Sequence, residues 1–399
     1  MRYERIADAP VQASIEPGFA PAIDALAARN LSGDSFLRAA WFAATSGAQP
    51  RTLMLHEDGA LVAALPTCLV GPSLVGARKV PGAYWPHRGV LLAEGLAPAQ
   101  LARLFKGRAG RMLGQVWRIG PMRGNDPSVA VVSEAAKLAG WRVLVRPAGS
   151  CWVIDLAAAR AEGWPRGSTA KRLRRYERNL AAQGVVGWRH VRGSDWSEQV
   201  LEQLGSIEAQ SWIARTTDGS DAKFLHPQQR SQWQRALADP VLAEMLCATI
   251  LTLHDRPIAF CLDLDNGARQ YGIAGSYCED MAPYHVGKLV NYRVMADAIA
   301  DGQDVLDLGS GDSGYKREMG AVAAYELVDL LFVRNALLAL ALGRVWRGAA
   351  AALVTATDAT GHADGGHAGR AAVWKPLSDA AGAAGISAVI AAAAMMLVD

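Results

Sequence analysis

Cysteine is scarce and scattered. Five cysteines (Cys68, Cys151, Cys247, Cys261 and Cys278) stand among 399 residues, and no two form a CxxC pair. An odd, dispersed set speaks against a disulfide framework and a cysteine zinc site, and it fits a reducing compartment. An excess of one charge is lacking too. The formal net charge is +3, so bulk electrostatics favours neither nucleic acid nor membrane, and any basic surface must be local. No charge-free apolar run approaches the roughly 20 residues of a spanning helix. The longest suspect, residues 327–345, is interrupted by Asp329, Arg334 and Arg344, and the run at 388–398 is short. The opening residues, Met1-Arg-Tyr-Glu-Arg, hold no apolar stretch, so no signal peptide is expected. These absences describe a cytoplasmic protein, with attachment to the inner-membrane surface as a variant of that expectation.

What is present is a chain rich in core-forming residues, 51% apolar, and long enough for two or three domains. Residues 20–47 have helical spacing. Residues 51–70 read as a hairpin around Glu57-Asp58-Gly59. A Gly/Pro/aromatic stretch (78–92), a helix (98–108), a strand (115–119), a helix (128–139) and strands at 141–145 and 151–154 follow. This first unit, 1–157, alternates strands and helices, which makes it α/β or α+β.

The second unit, 158–335, opens on a basic helix at 168–180 that Ser168 or Thr169 can cap. Lys171, Arg174, Arg175 and Arg178 fall at i, i+3, i+4 and i+7, one continuous stripe, with Arg172 beside it. Leu173, Tyr176 and Leu180 lie on the opposite face. Such a stripe is either a solvated helix face or a place for phosphates, which guanidinium forks match well. Helices at 199–214 and 227–238 lead to three strands, 246–254, 257–265 and 269–276, joined by Asp255-Arg-Pro and Asn266-Gly267 turns. They form an antiparallel meander. A loop, Tyr277 to Gly287, precedes a helix from Lys288 to Ala300 that Gly302 ends. A strand at 304–308, a glycine segment, a short helix at 315–319 and a strand at 325–333 complete the unit. The remainder, 336–399, is an Ala-rich extension with a linker-like stretch at 355–370. Its His362 and His367 lack the companions a metal site needs, and no metal is expected.

The glycine segment, Asp304-Val-Leu-Asp307-Leu-Gly309-Ser-Gly311-Asp312-Ser-Gly314-Tyr315-Lys316, supports two readings. Val305 to Gly311 looks like the first motif of methyltransferases that use S-adenosylmethionine. That motif opens a doubly wound parallel sheet and needs further βα units after it. Here a meander precedes it and one strand follows, which disfavours the methyltransferase.

The order of a meander, a loop ending in Gly, a helix and a further strand instead resembles the acyl-CoA N-acyltransferase (GNAT) fold. More specifically, residues 35–335 resemble the FemAB/CelD-like branch, acetyltransferases associated with polysaccharide and envelope synthesis. The carrying pieces are the basic helix, the loop Ala282 to Gly287 with Leu289, and the spacing of Asp307, Gly311, Asp312, Tyr315, Lys316 and Gly320. His285 and Val286 stand where relatives tend to carry Ser and Pro. The resemblance implies a tandem GNAT-like fold, a mixed sheet flanked by helices, whose first unit lacks a cofactor. It implies acetyl-CoA or another acyl-CoA as co-substrate and an amine acceptor related to the envelope or its polysaccharides.

It also implies that Tyr284, His285, Val286, Gly287 and Lys288 receive the coenzyme pyrophosphate at a helix N-terminus, helped by the basic stripe. Acyl transfer needs a proton acceptor, a polarised carbonyl and a proton donor to the leaving group. Strand amides near Gly272 to Gly275 would polarise the carbonyl. Asp307 or Asp312 would take the amine proton, Tyr315 would donate to the leaving thiolate, and Lys316 would stabilise charge or bind a phosphate. His285 and Glu279 are further bases, and Trp212 and Tyr277 would line the acceptor channel. Two other functions remain open: transfer of an aminoacyl group from charged tRNA, with the stripe on RNA phosphates, and a non-catalytic scaffold in envelope-polymer assembly.

Overall fold

The computed structural model describes residues 11–71, 73, 76–82, 86–216, 219, 222–311, 314–344 and 346. Asp312 and the expectations for 355–370, His362, His367 and 388–398 lie outside these residues.

Along the chain, β1 (Val11–Pro17) is followed by a 3-10 turn and two short helices, α1 (Asp24–Ala27) and α2 (Ala39–Ala44). The hairpin β2 (Ala48–Glu57) and β3 (Ala60–Val70) comes next. Then come β4 (Ala77–Lys79), β5 (Leu91–Leu92), α3 (Pro98–Lys106), α4 (Arg108–Arg111), β6 (Val116–Arg123), α5 (Pro127–Leu138) and β7 (Arg142–Asp155). Helices α6 (Leu156–Ala161) and α7 (Gly167–Ala181) lead to β8 (Val186–Val191). Four helices follow, α8 (Glu198–Ala209), α9 (Trp212–Thr216), α10 (Pro227–Leu237) and α11 (Pro240–Met245). The meander is β9 (Leu246–Leu253), β10 (Arg256–Asn266) and β11 (Arg269–Tyr277). After it stand α12 (Val286–Ala300), β12 (Val305–Ser310), α13 (Tyr315–Glu318) and β13 (Val322–Val333). Residues 336–344 form a last helix, α14.

By packing, the described residues up to Gly149 and from Tyr325 form one compact unit, and those of Ser150–Ala324 form a second. Strand β7 runs through the division. In the first unit the strands are ordered β1-β2-β3-β4-β6-β13-β7. There β4 and β6 pair in parallel, beside antiparallel pairs such as β1–β2 and β2–β3. Its core gathers Phe105, Trp117 and Phe332, whose rings lie 5.3–6.3 Å apart. In the second unit the order is β7-β12-β11-β10-β9-β8, with β11 and β12 parallel. Both are mixed sheets flanked by helices, as the sequence predicts.

The turns form where residue chemistry asks for them. Asp58 and Gly59 have φ of 50° and 79°, and His254 and Asp255 have 50° and 64°. Two successive positive φ values make the tight reversal that matches strand twist. Three expectations need correction. The helical pattern over 20–47 breaks into short pieces around a loop that contains Gly33, at φ 75°, and β1 precedes it. The two strands expected at 141–154 are one strand, β7. Helix α7 starts at Gly167 with Arg166 as its cap residue and no side-chain cap bond, so neither Ser168 nor Thr169 serves.

Candidate active site

The second unit's sheet opens at one place. Strands β11 and β12 pair in parallel at Arg269↔Val305, Gln270↔Leu306 and Tyr271↔Asp307. Beyond Tyr271 and Asp307 no further pair joins them among the described residues. At the same level the β10–β11 ladder shifts register, with Leu262 opposite Ala274 and Asp263 opposite Gly272, so Ile273 is left over as a bulge. Gly272, Ile273 and Ala274 are only half-buried and Gly275 is exposed, although they lie in an interior strand. The result is a V-shaped opening lined by backbone. This is where strand amides were expected at residues 272–275.

The open edge of β11 runs toward the N-terminus of α12. His285 takes the left-handed conformation there, φ 56° and ψ 35°, and redirects the chain into the helix. The amides of Lys288 and Leu289 already bond to His285 O. Those of Val286 and Gly287 have no backbone acceptor among the described residues, so two donors and the positive end of a helix dipole point outward. Gly287 is required by contact. A Cβ there would sit 2.7 Å from Tyr277 Cδ1, so the Tyr277 ring lies against the first turn. Tyr277 thus packs at the end of β11, beside the opening.

The basic helix α7 reaches the same corner. Tyr176 is buried and its ring centroid is 4.2 Å from that of His285. Burial, then Lys288 and Arg175, lower the His285 pKa, which leaves the imidazole neutral at pH 7. Lys171, Arg174, Arg175 and Arg178 are all exposed along one stripe. Arg172 turns inward instead: it bonds to Tyr292 Oη at 3.3 Å and to Glu318 at 3.3 Å. Glu318 also accepts both bonds of Lys288 Nζ, each 2.8 Å. One carboxylate of α13 therefore ties α7 to α12.

The glycine segment is held by its own buried charged side chains. Asp307 is 0% exposed, paired with Arg269 at 3.0 Å, and accepts from Gly309 N at 3.1 Å. Gly309 has φ 75°, in a register shift between β12 and β7 that only a residue without Cβ adopts cheaply. Lys316 is 4% exposed, and its ammonium donates to Gly309 O at 3.0 Å and Ser310 O at 2.9 Å. Both side chains hold the turn from within. Asp307 stands at the last β11–β12 pair, beside the opening, and Lys316 lies further on in the short helix α13. Tyr315 begins α13 and packs against the cluster of Ile154, Leu156 and Tyr292. Glu279 pairs with Arg215, and Trp212 begins α9.

Sequence reasoning missed Asp263. It lies opposite Gly272 at the base of the opening, and a Cβ on Gly272 would be 3.6 Å from its Oδ1. Burial lifts its pKa to about 7, against the opposing effect of a hydrogen bond with Gln270. A carboxyl with a pKa near neutrality beside a cleft is well matched to proton transfer. Its position in a run of apolar strand residues, Cys261-Leu-Asp-Leu264, was the available signal. Among the described residues no group of three His, Cys, Asp or Glu is placed to hold a metal ion.

Comparison with known proteins finds likeness over part of the sequence and in the fold. Residues 167–317 match the family model described as an acetyltransferase (GNAT) domain. A search of curated proteins finds no match. Among solved structures, FemX is similar with a TM-score of 0.56 and 12% identity, over 82% of this chain and 100% of that one. L-PGS from Bacillus licheniformis is similar with a TM-score of 0.50 and 12% identity, over 86% and 98%. So is the C-terminal domain of a protein assigned as a lysylphosphatidylglycerol synthetase from Agrobacterium fabrum, with a TM-score of 0.50, 14% identity, and coverage of 84% and 94%. At these identities the likeness is one of fold. Residues 167–317 thus resemble a GNAT acetyltransferase domain, within a chain whose fold is like that of these solved structures.

Proposed function

We propose that this protein transfers an acyl group from a phosphate-bearing donor, acetyl-CoA or another acyl-CoA, to an amine of an envelope- or polysaccharide-related acceptor. The observation that carries the reading is the separation of β11 from β12 after Tyr271 and Asp307, ending at the two free amides of α12. The donor's pyrophosphate would lie on the amides of Val286 and Gly287, flanked by Tyr284, His285 and Lys288. Arg175 and the rest of the stripe, Lys171, Arg174 and Arg178, would surround it with positive charge. The acyl arm would then enter the V, where amides of Gly272–Gly275 polarise the carbonyl. The amine attacks the carbonyl carbon, a C–N bond forms, and the C–S bond breaks. Asp263 has the pKa to accept the amine proton, and Asp312 stays a candidate from the sequence. Tyr315 is the candidate donor to the leaving sulfur. Asp307 and Lys316 would fix the turn that holds one wall.

A second reading takes aminoacyl-tRNA as donor. What favours it is the length of the stripe: four exposed cations on successive turns of α7 exceed the needs of one pyrophosphate. The fold likeness to FemX and to a lysylphosphatidylglycerol synthetase is consistent with an envelope-related aminoacyl acceptor. Titration calorimetry separates the two. The first reading expects acyl-CoA to bind with a mild salt dependence, and no heat at millimolar acyl-CoA would remove it. The second expects charged tRNA to bind with an affinity that falls steeply with salt. Failure of both would leave the non-catalytic scaffold.

A further inference from the structure

The first unit carries an apolar surface that acyl transfer does not use. Helix α14 begins at Asn335, whose side chain accepts from Leu337 N and Leu338 N at 2.9 and 3.1 Å. Its inner face, Ala339 and Leu342, packs with Trp346 against Val116, Leu331 and Val333. Its outer face is apolar as well: Leu337 is 77% exposed and Leu340 is 72% exposed. A helix apolar on all sides is normally covered on all sides. Beside it a groove is lined by Trp141, Leu144, Val145, Leu340 and Trp346. Val145 and the nearby Leu138 are also exposed.

The charge around this patch has one dominant sign. Lys137 and Arg142 line the same groove, and Arg344 follows Leu340 by one turn on the exposed side. Arg334 stacks on Trp141 with 4.9 Å from its guanidinium carbon to the ring. Glu134, 3.9 Å from Lys137, is an acid beside these groups. Exposed leucines ringed by lysine and arginine match a lipid surface with anionic headgroups, where apolar side chains enter the acyl boundary and cations stay at headgroup level.

We propose that the α14 face of the first unit docks on an anionic phospholipid bilayer. Leu337 and Leu340 insert there, and Lys137, Arg142 and Arg344 contact the headgroups. The proposal rests on this surface alone and stands or falls apart from the choice of acyl donor.

Cosedimentation of the full chain with vesicles tests it, comparing phosphatidylglycerol/phosphatidylcholine with phosphatidylcholine alone. The wild type is expected to pellet with the anionic vesicles and to be released by salt. Leu337→Glu/Leu340→Glu should lower the partition by roughly a hundredfold, since two inserted leucines supply most of the apolar transfer. Both side chains are exposed, so circular dichroism should report an unchanged fold. Arg142→Glu/Arg344→Glu should lose the preference for anionic over neutral vesicles. A wild type that stays in the supernatant overturns the proposal, and so does a leucine double variant that pellets like the wild type. Loss of self-association by that variant, with no vesicle binding by either protein, would assign the face to a second copy of the chain instead.

Discussion

Asp263 and Lys316 are both buried ionisable groups, and their surroundings give them opposite tasks. Lys316 has two carbonyl acceptors, Gly309 O and Ser310 O, and keeps its charge by holding the end of β12. Asp263 lies among poorer partners: Cys247 faces it from β9, Cys261 precedes it on its own strand, and Gln270 supplies a hydrogen bond. Burial therefore raises its pKa from 3.8 to about 7. The folded chain holds this proton where the unfolded chain has released it. Stability from this group is fully present below about pH 4, declines as pH rises through the folded pKa, and levels off above it. Asn at this position has no proton to lose. Denaturant unfolding of wild type and Asp263→Asn between pH 5 and pH 8 should show a decline in the wild type that the variant lacks. Parallel curves would mean that the carboxyl titrates normally. If Asp263 also accepts the amine proton, the same variant should lose turnover while retaining donor affinity.

At the scale of elements, periodicity and turn chemistry decided what was legible. The meander β9–β11, α7 and α12 stand where expected: strong turn signals bound the strands, α7 has a clear apolar face, and Gly302 ends α12. Strands β1 and β8 were missed. Much of each is exposed, and β8 carries Trp188-Arg189-His190, so neither shows a buried alternation. The opening between β11 and β12 was placed near Gly272–Gly275 by resemblance; its form is a property of backbone pairing, which no side chain announces. Burial of Asp307 and Lys316 was likewise invisible, because it arises from residues distant in sequence, Arg269 and the strands around them. Gly287 shows how such contacts can be tested. Its Cα meets the Tyr277 ring, and a methyl group would lie 2.7 Å from Cδ1. Gly287→Ala should push the ring or the first turn of α12 aside and weaken donor binding by about tenfold or more, as overpacking costs about 1–3 kcal/mol. Calorimetry with the donor checks this. Unchanged affinity would remove the α12 N-terminus from the site.

At the scale of the whole chain, the return of β13 to the first unit has the largest consequence. Residues far apart in sequence meet there: Asp329 of β13 receives Arg118 of β6 at 3.0 Å and Arg146 of β7 at 2.6 Å. Trp346 adds its ring 4.0 Å from the Arg146 guanidinium. All three charged groups are nearly dry, with Asp329 itself 2% exposed. Two guanidiniums and one carboxylate form a network whose excess charge is positive, so the carboxylate is the member it can least lose. Removing one partner of a buried ionic network costs about 3–5 kcal/mol, because the remaining charges keep their desolvation penalty. Asp329→Ala should therefore destabilise the first unit by an amount comparable to much of a domain's net stability. The second unit, Ser150–Ala324, contains none of the three charged residues and should keep its own transition. Scanning calorimetry of the full chain should then show the variant's melting split, with one component moved to lower temperature and one near its original position. Donor binding measured below the first component should persist, since α7, α12 and the β11–β12 opening all belong to the second unit. A single transition shifted as a whole would mean that the two units unfold as one cooperative body.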